Sequence, residues 1–351
     1  MMKNVFAHRF RTARLIAGLS QQDLADKLAI TKQSISKYER SLMLPDSSQL
    51  IKISNVLHCS PDYFFRPLTV KLEHVEFRKR SKLRGKKLEA VKAKVIDEVE
   101  RYLELEELLG INHPFVNPIK KILINSFDDV ENACDKLLKK WHLGYNPLPN
   151  IIEMVEDNGV KVIEIDAAED FDGLSDMVGD AIPVIVVNKK TDIVRKRFNL
   201  LHELGHILLQ ISDEANKKEK ERFCNRFAGG MLIPKEILFK ELGRKRNKFY
   251  IKELIEIKEY FGISIAAIVY RASELGIIHE SYCKRFWQKR NQDKNLKLER
   301  DGYGKYQGKE SSGRFQQLLY KALAEEIITV SKAAYLAKTE ASIISENLQL
   351  F

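Results

Sequence analysis

The strongest constraint in the chain is the pentapeptide His202-Glu203-Leu204-Gly205-His206. It lies within Arg195–Ile211, where Phe198, Leu201, Leu204, Ile207, Leu208 and Ile211 recur at helical spacing and predict one partly buried helix. Positions four apart stack on one face of a helix, so both imidazoles can reach a single metal ion. Glu203 lies beside them and can hold a water. This is the H-E-x-x-H arrangement of two zinc ligands and a carboxylate base. Five loosely constrained positions also recur by chance, so the residues downstream of the motif decide the matter.

A catalytic zinc needs a third protein ligand and an open position for water. The next predicted helix, Glu219–Met231, places Glu221, Cys224, Ala228 and Met231 on one stripe. An inward carboxylate among apolar residues is costly unless it is paired or bound to metal, which favours Glu221 as the ligand. Glu214 and Glu219 are the reserves: the first is in phase but early, the second points off the stripe. Cys224 reads either as a thiolate ligand or as a small buried apolar group. Asn225, one turn after Glu221, is a candidate to orient a ligand from behind. Upstream, Val130–Trp141 and Ile151–Asn158 read as helices, Val160–Ile165 as an alternating strand, Asp170–Gly173 as a loop, and Ile182–Asn188 as a buried strand. Thr191 or Asp192 caps the motif helix.

The first seventy residues have a different texture. Phe6–Ala17 is a basic helix stopped by Gly18. Ser20 caps Gln21–Leu28, and Thr31 caps a helix running to Glu39. A fourth helix starts at Asp46, Ser47 or Ser48 and runs toward Leu57, and a fifth starts at Ser60-Pro61. Leu24, Ala25, Leu28, Ile30 and Ile35 occupy the positions that a helix–turn–helix buries between its two helices.

Leu19-Ser-Gln-Gln-Asp-Leu-Ala25 and Ile30-Thr-Lys-Gln-Ser-Ile-Ser-Lys-Tyr-Glu39 closely resemble the helix-turn-helix domain of phage-type repressors, over most of residues 6–65. The resemblance implies that Thr31–Glu39 enters the major groove. Lys32, Gln33 and Lys37 would then face base edges, while Gln21, Ser34 and Ser36 contact phosphates. The chemistry suits these roles, since Gln pairs bidentately with adenine and Lys reaches the guanine acceptors. Ala29 departs from the Gly often found in the turn; at positive φ it would cost about 1 kcal/mol, so an adjusted turn is the expectation. A single module binds weakly, so a homodimer on a two-fold operator is expected.

The second region also resembles a known family. Arg197-Phe198, Leu201-His-Glu-Leu-Gly-His206, Glu221-x-x-Cys-Asn-x-Phe-Ala228 and Met231-Leu-Ile-Pro234 are similar to the ImmA/IrrE zinc metallopeptidases, with Gly173-Leu-Ser and Val186-Val-Asn188 also fitting. The similarity spans roughly residues 130–280, and Cys224 stands where alanine is common. It implies a zincin-like domain holding Zn²⁺ on His202, His206 and Glu221, with Glu203 as the base. Such an enzyme inactivates a repressor or antitoxin protein by cutting it. The substrate is expected to lie extended along Ile182–Asn188 by strand addition.

The remaining segments are read more coarsely. Phe77–Lys87 holds seven cations and no acid, either a phosphate clamp or a solvated linker. Lys87–Leu109 is an amphipathic helix carrying Leu88, Val91, Val95, Val99 and Leu103, and it could pair two chains. Ile251–Phe261 and Ile265–Leu275 look superficially like a second helix-turn-helix, although the family comparison favours a helical pair completing the peptidase. Residues 284–313, rich in Lys, Arg, Asn, Gly and Ser, read as an exposed, mobile stretch. Phe315–Ile328 and Ser331–Lys338 are helical, with Ser331 as the cap.

Domains are therefore expected at residues 1–67, 68–126 (basic linker and amphipathic helix), 127–283 and 284–351 (polar linker and C-terminal helices). The fold class is a mainly α helix-turn-helix bundle, an α+β zincin-like domain with a small sheet, and a helical C-terminal region. The net charge of +10 suggests an anionic partner, and double-stranded DNA fits. Four scattered cysteines without a C-x-x-C pair indicate a reducing compartment. No signal peptide and no membrane span are expected, which points to the cytoplasm. The favoured reading is a DNA-binding regulator with a zinc endopeptidase on one chain. The alternatives are a transcription factor or antitoxin whose metal site is a sensor or an inactive relic.

Overall fold

The computed structural model describes residues 2–67, 85–111, 114–166, 171, 173–178 and 182–348. The front domain comprises helices Met2–Ile16, Gln21–Leu28, Lys32–Glu39 and Ser47–Leu57, followed by Pro61–Phe65. The last is a single 3-10 turn rather than a fifth α-helix. Each start has a local cause. Ser20 and Asp23 form a reciprocal capping box, Thr31 caps through its hydroxyl, and Asp46 caps the fourth helix. Phe6, Phe10, Leu24, Ile35, Ile53 and Phe64 are fully buried, and the Phe6 and Phe10 rings stack 5.6 Å apart. Ala29 holds the left-handed conformation at φ 53°, so the turn keeps its geometry at a cost of about 1 kcal/mol.

Helix Lys86–Leu108 is the spine of the molecule. Val95 and Val99, with the partly buried Leu88, Val91 and Leu103, pack on the sheet residues Ile163, Ile165, Leu174 and Val186. Tyr102 and Leu105 turn the other way, onto Leu319, Ala322 and Leu336 of the C-terminal helices. A third side carries acids. Glu100 pairs with the buried Arg9 of the first helix, Arg9 also donates to Pro67 O at 2.8 Å, and Asp97 holds Arg101 at 3.2 Å and Lys338. The apolar stripe legible in the sequence is thus spent within the chain. Of the basic run, residues 77–84 lie outside the described residues.

Strands Lys161–Ile165, Ile182–Asn188 and Gly173–Val178 form a sheet in which Ile182–Asn188 is central. It pairs in parallel with Lys161–Ile165 and antiparallel with Gly173–Val178. That corrects the expected substrate strand. Both edges of Ile182–Asn188 are already hydrogen-bonded, and its near-continuous burial is what a central strand requires. A short parallel pair, Leu123–Ile124 with Gln210–Ile211, closes the other side.

Helices Ile193–Leu208 and Lys217–Leu232 lie under this sheet in one large core, with Phe127–Lys140 and Ile151–Asp157. Helices Ile251–Phe261 and Ile265–Glu274 join the same core. Ile265, Ile268, Val269 and Ala272 are buried, and Tyr270 is the one exposed residue of Ile265–Glu274, so the second helix of this pair is spent on the core.

Residues 284–313 differ most from expectation. Glu280–Gln292 and Lys294–Leu298 are helical, and the following segment is docked rather than mobile. Glu299 accepts from Ile265 N and Ala266 N at 3.0 Å each, capping that helix, and pairs with Lys258 at 3.1 Å. Glu310 is buried against Arg197 at 2.8 Å. The polar composition concealed a segment whose acids Glu299 and Glu310 are satisfied by buried partners. The chain ends in Arg314–Ala324, Val330–Ala337 and Ala341–Glu346, where Thr329, not Ser331, caps the second. No helix among the described residues is long and apolar enough to cross a membrane.

Candidate metal centre and nucleic-acid interface

The candidate metal centre is built by two helices that approach closely because Gly205 has no side chain. A Cβ there would meet Phe227 Cδ1 at 3.2 Å and Cys224 Cα at 3.4 Å. Asp192 caps the first helix through its carboxylate, which settles the choice between Thr191 and Asp192. Asn216 caps the second, with Glu219 completing a capping box. Glu219 is thereby occupied at the helix start, Glu214 is exposed before it, and Glu221 is the acid that reaches the histidines.

His202 Nε2 and His206 Nε2 stand 3.1 Å apart. Glu221 Oε2 is 3.3 Å from the first and 3.8 Å from the second. A tetrahedral ion with bonds of about 2.0–2.1 Å sets its donors roughly 3.3–3.4 Å apart. The three donors therefore already have the spacing of one divalent metal site. The His206 side chain is 6% exposed and Glu221 31%, so the centre is walled on the protein side and open on the other.

Two contacts support these ligands. Cys224 is fully buried and its sulfur lies 2.9 Å from His206 Nδ1, the nitrogen facing away from the donor triangle. It is not among the grouped ligand atoms. A hydrogen bond at that nitrogen fixes ring orientation and tautomer, the part suggested for Asn225 from the sequence. On the other side, the Ser175 hydroxyl donates to Glu203 Oε2 at 2.6 Å. Ser175 was not singled out as a site residue from the sequence. The signal was present in Gly173-Leu-Ser: a Cβ at Gly173 would come within 3.1 Å of Val186 O and 3.5 Å of Glu203 Cγ. The bare residue lets the strand lie against Glu203.

In the front domain, Thr31, Lys32, Gln33 and Lys37 are exposed, and Ser34 and Ser36 are half-buried on the same helix, whose inner side is Ile35 and Tyr38. Ser34 Oγ lies 3.0 Å from Thr31 Oγ1. Gln21 donates to Glu39 Oε2 at 2.6 Å, and Arg14 grips the same carboxylate at 2.5 Å and Leu19 O at 2.7 Å. This network locks the two helices of the motif against the first.

Comparison with known proteins agrees with both halves. Residues 10–64 match the helix-turn-helix family model, and residues 155–273 match the model of the IrrE N-terminal-like domain, peptidase M78. Among curated relatives, the HTH-type transcriptional regulator ImmR of Bacillus subtilis is 42% identical over 55 residues, covering 16% of this chain and 43% of the relative. The SPbeta prophage-derived uncharacterized HTH-type transcriptional regulator YonR, from the same organism, is 40% identical over 62 residues, 18% of this chain and 57% of its own. The chain thus spans about half the length of the curated relatives it matches. In order, the chain carries a phage-repressor-type helix-turn-helix domain and a domain of the IrrE-like M78 metallopeptidase family.

Proposed function

We propose that the protein is a DNA-binding transcriptional regulator whose second domain is a zinc endopeptidase that cuts a repressor or antitoxin protein. The observation that carries this reading is the donor triangle with edges of 3.1, 3.3 and 3.8 Å, with Glu203 beside it and held by Ser175. His202, His206 and Glu221 are the residues that would hold Zn²⁺. When bound, the ion supplies a Lewis acid that polarises a carbonyl and brings the pKa of a water toward neutrality.

The remaining steps belong to the chain itself. Glu203 accepts the proton of the attacking water and returns it to the leaving amine. The Ser175 hydroxyl fixes that carboxylate in plane. Cys224 sets the rotation of the His206 ring. The substrate main chain adds to the outer edge of Gly173–Val178, which carries no strand on that side among the described residues and runs past Glu203. In the front domain, Lys32, Gln33 and Lys37 read base edges while Gln21, Ser34 and Ser36 approach phosphates, as a homodimer on a two-fold operator.

Metal analysis of purified protein tests the centre. About one zinc per chain is expected, lost in His202→Ala/His206→Ala; equal content in both proteins refutes it. Glu203→Gln should retain the metal and abolish cleavage of a repressor encoded with the protein.

A further inference from the structure

Residues 244–248 and 284–300 together hold eleven Lys and Arg against two acids. The two segments are far apart in sequence, yet the fold joins them. Arg246 N donates to Ile277 O at 2.7 Å, and Phe249 N donates to the Tyr282 hydroxyl at 3.2 Å. The Phe249 and Tyr282 rings meet edge-on with centroids 5.7 Å apart. Arg246 lies 5.9 Å over Phe249, and Arg285 lies 6.0 Å over Tyr282. A cation, two rings and a second cation therefore form one strip across the seam, and Lys289 continues it one helical turn beyond Arg285.

The acids do not neutralise this strip. Asp293 is spent on Leu296 N and the Tyr303 hydroxyl, and Glu299 on the start of helix Ile265–Glu274. Arg246 has Glu253 at 3.1 Å, and Lys284 has Glu280 at 3.0 Å, the latter a solvent-exposed pair of little strength. Lys245, Lys248, Arg285 and Lys289 are all exposed, with no described carboxylate in ion-pair range. A surface that concentrates like charge without opposing charge costs self-repulsion, which a polyanion relieves.

We infer that this strip, formed by loop 244–248 and helix Glu280–Gln292, is a second contact surface for duplex DNA, binding the phosphate backbone without reading sequence. The strip's charge is complementary to a polyanion, and the front domain brings a duplex to the same chain. The inference extends the DNA-binding reading and is independent of whether the metal centre is hydrolytic. Each phosphate contact steepens the salt dependence of binding by about 0.9 in log–log slope, so removing a contact lowers it by that amount.

The test uses the full chain and a fluorescein-labelled duplex of random sequence, titrated at several salt concentrations. In a Gln33→Ala/Lys37→Ala background, which removes base reading, binding to the random duplex should persist. Adding Lys245→Gln, Lys248→Gln, Arg285→Gln and Lys289→Gln should lower the slope by about 3 to 4 and the affinity more than roughly tenfold at 0.1 M salt. Far-ultraviolet circular dichroism should be unchanged, since all four side chains are exposed. If the quadruple variant misfolds, Lys245→Gln/Lys289→Gln should give about half the change in slope. An unchanged slope and affinity overturns the inference. So does complete loss of binding in the Gln33→Ala/Lys37→Ala protein alone, or a loss confined to an acidic polypeptide probe with DNA binding intact. Failure of the front-domain reading looks different: operator preference would then survive Gln33→Ala/Lys37→Ala.

Discussion

Removing the carboxylate of Glu310 should expose how the C-terminal segment holds the helix that carries His202 and His206. Arg197 sits five residues before His202, and its guanidinium is wholly buried. It donates to Glu310 Oε2 at 2.8 Å, Leu148 O at 2.7 Å and Gly262 O at 3.1 Å, and lies 4.8 Å over the Tyr306 ring. The other oxygen of Glu310 accepts from Ile152 N at 2.7 Å. Glu310→Ala therefore leaves a buried cation without its counter-ion and a backbone donor without its acceptor. Breaking a buried pair in this way costs about 3–5 kcal/mol. For a domain of this size that corresponds to a fall in melting temperature of roughly 6–20 °C. Arg197→Met should cost at least as much, because the carbonyls of Leu148, Phe261 and Gly262 lose a donor as well. In Arg197→Met/Glu310→Ala the charges vanish together, and the loss should fall short of the sum of the single losses by about 2 kcal/mol or more. Urea unfolding measures all four proteins, and limited proteolysis should find residues 299–313 newly accessible in Glu310→Ala. A loss below about 1 kcal/mol with an unchanged m value would refute the burial of this pair.

Three further outcomes rest on single sites. Glu156 is 4% exposed, and burial pushes its carboxyl from 4.5 up to about 7, against the Ser312 hydrogen bond and the nearby Arg314 and Lys161. Its folded value lies above its unfolded one, so its contribution is complete below pH 4.5 and is lost as the pH rises through about 7. Glu156→Gln should raise stability by about 3 kcal/mol at pH 8 and little at pH 4.5, and a pH-independent effect would contradict this. Ala29→Gly relieves a left-handed alanine and should stabilise the front domain by up to about 1 kcal/mol in thermal unfolding; a loss would show the turn to be unstrained. Cys224→Ala should weaken zinc binding about 10-fold or more in chelator competition, with Cys224→Ser restoring part of it. Equal affinity in all three proteins would free His206 from its sulfur partner.

The sequence by itself determined what depends on near neighbours. Helix starts at Ser20, Thr31 and Asp192 are set by side chains that reach their own backbone within three residues. The pairing of His202 with His206 comes from helical pitch, and the inward phase of Glu221 from the stripe it shares with Cys224. The resemblance of both motifs to known families added the order of the two domains. What the tertiary structure decided involves groups far apart in the chain. Sheet order depends on long-range pairing, so Ile182–Asn188 could be recognised as buried but not as central, and Gly173–Val178 was not recognised as a strand at all. The contact of Ser175 with Glu203 spans 28 positions and that of Arg197 with Glu310 spans 113. Composition reads a charged segment as solvated because it counts charges without their partners. In the folded chain the acids Glu299 and Glu310 are withdrawn into the core by Lys258, Arg197 and a helix start, and the cations alongside them are left facing outward.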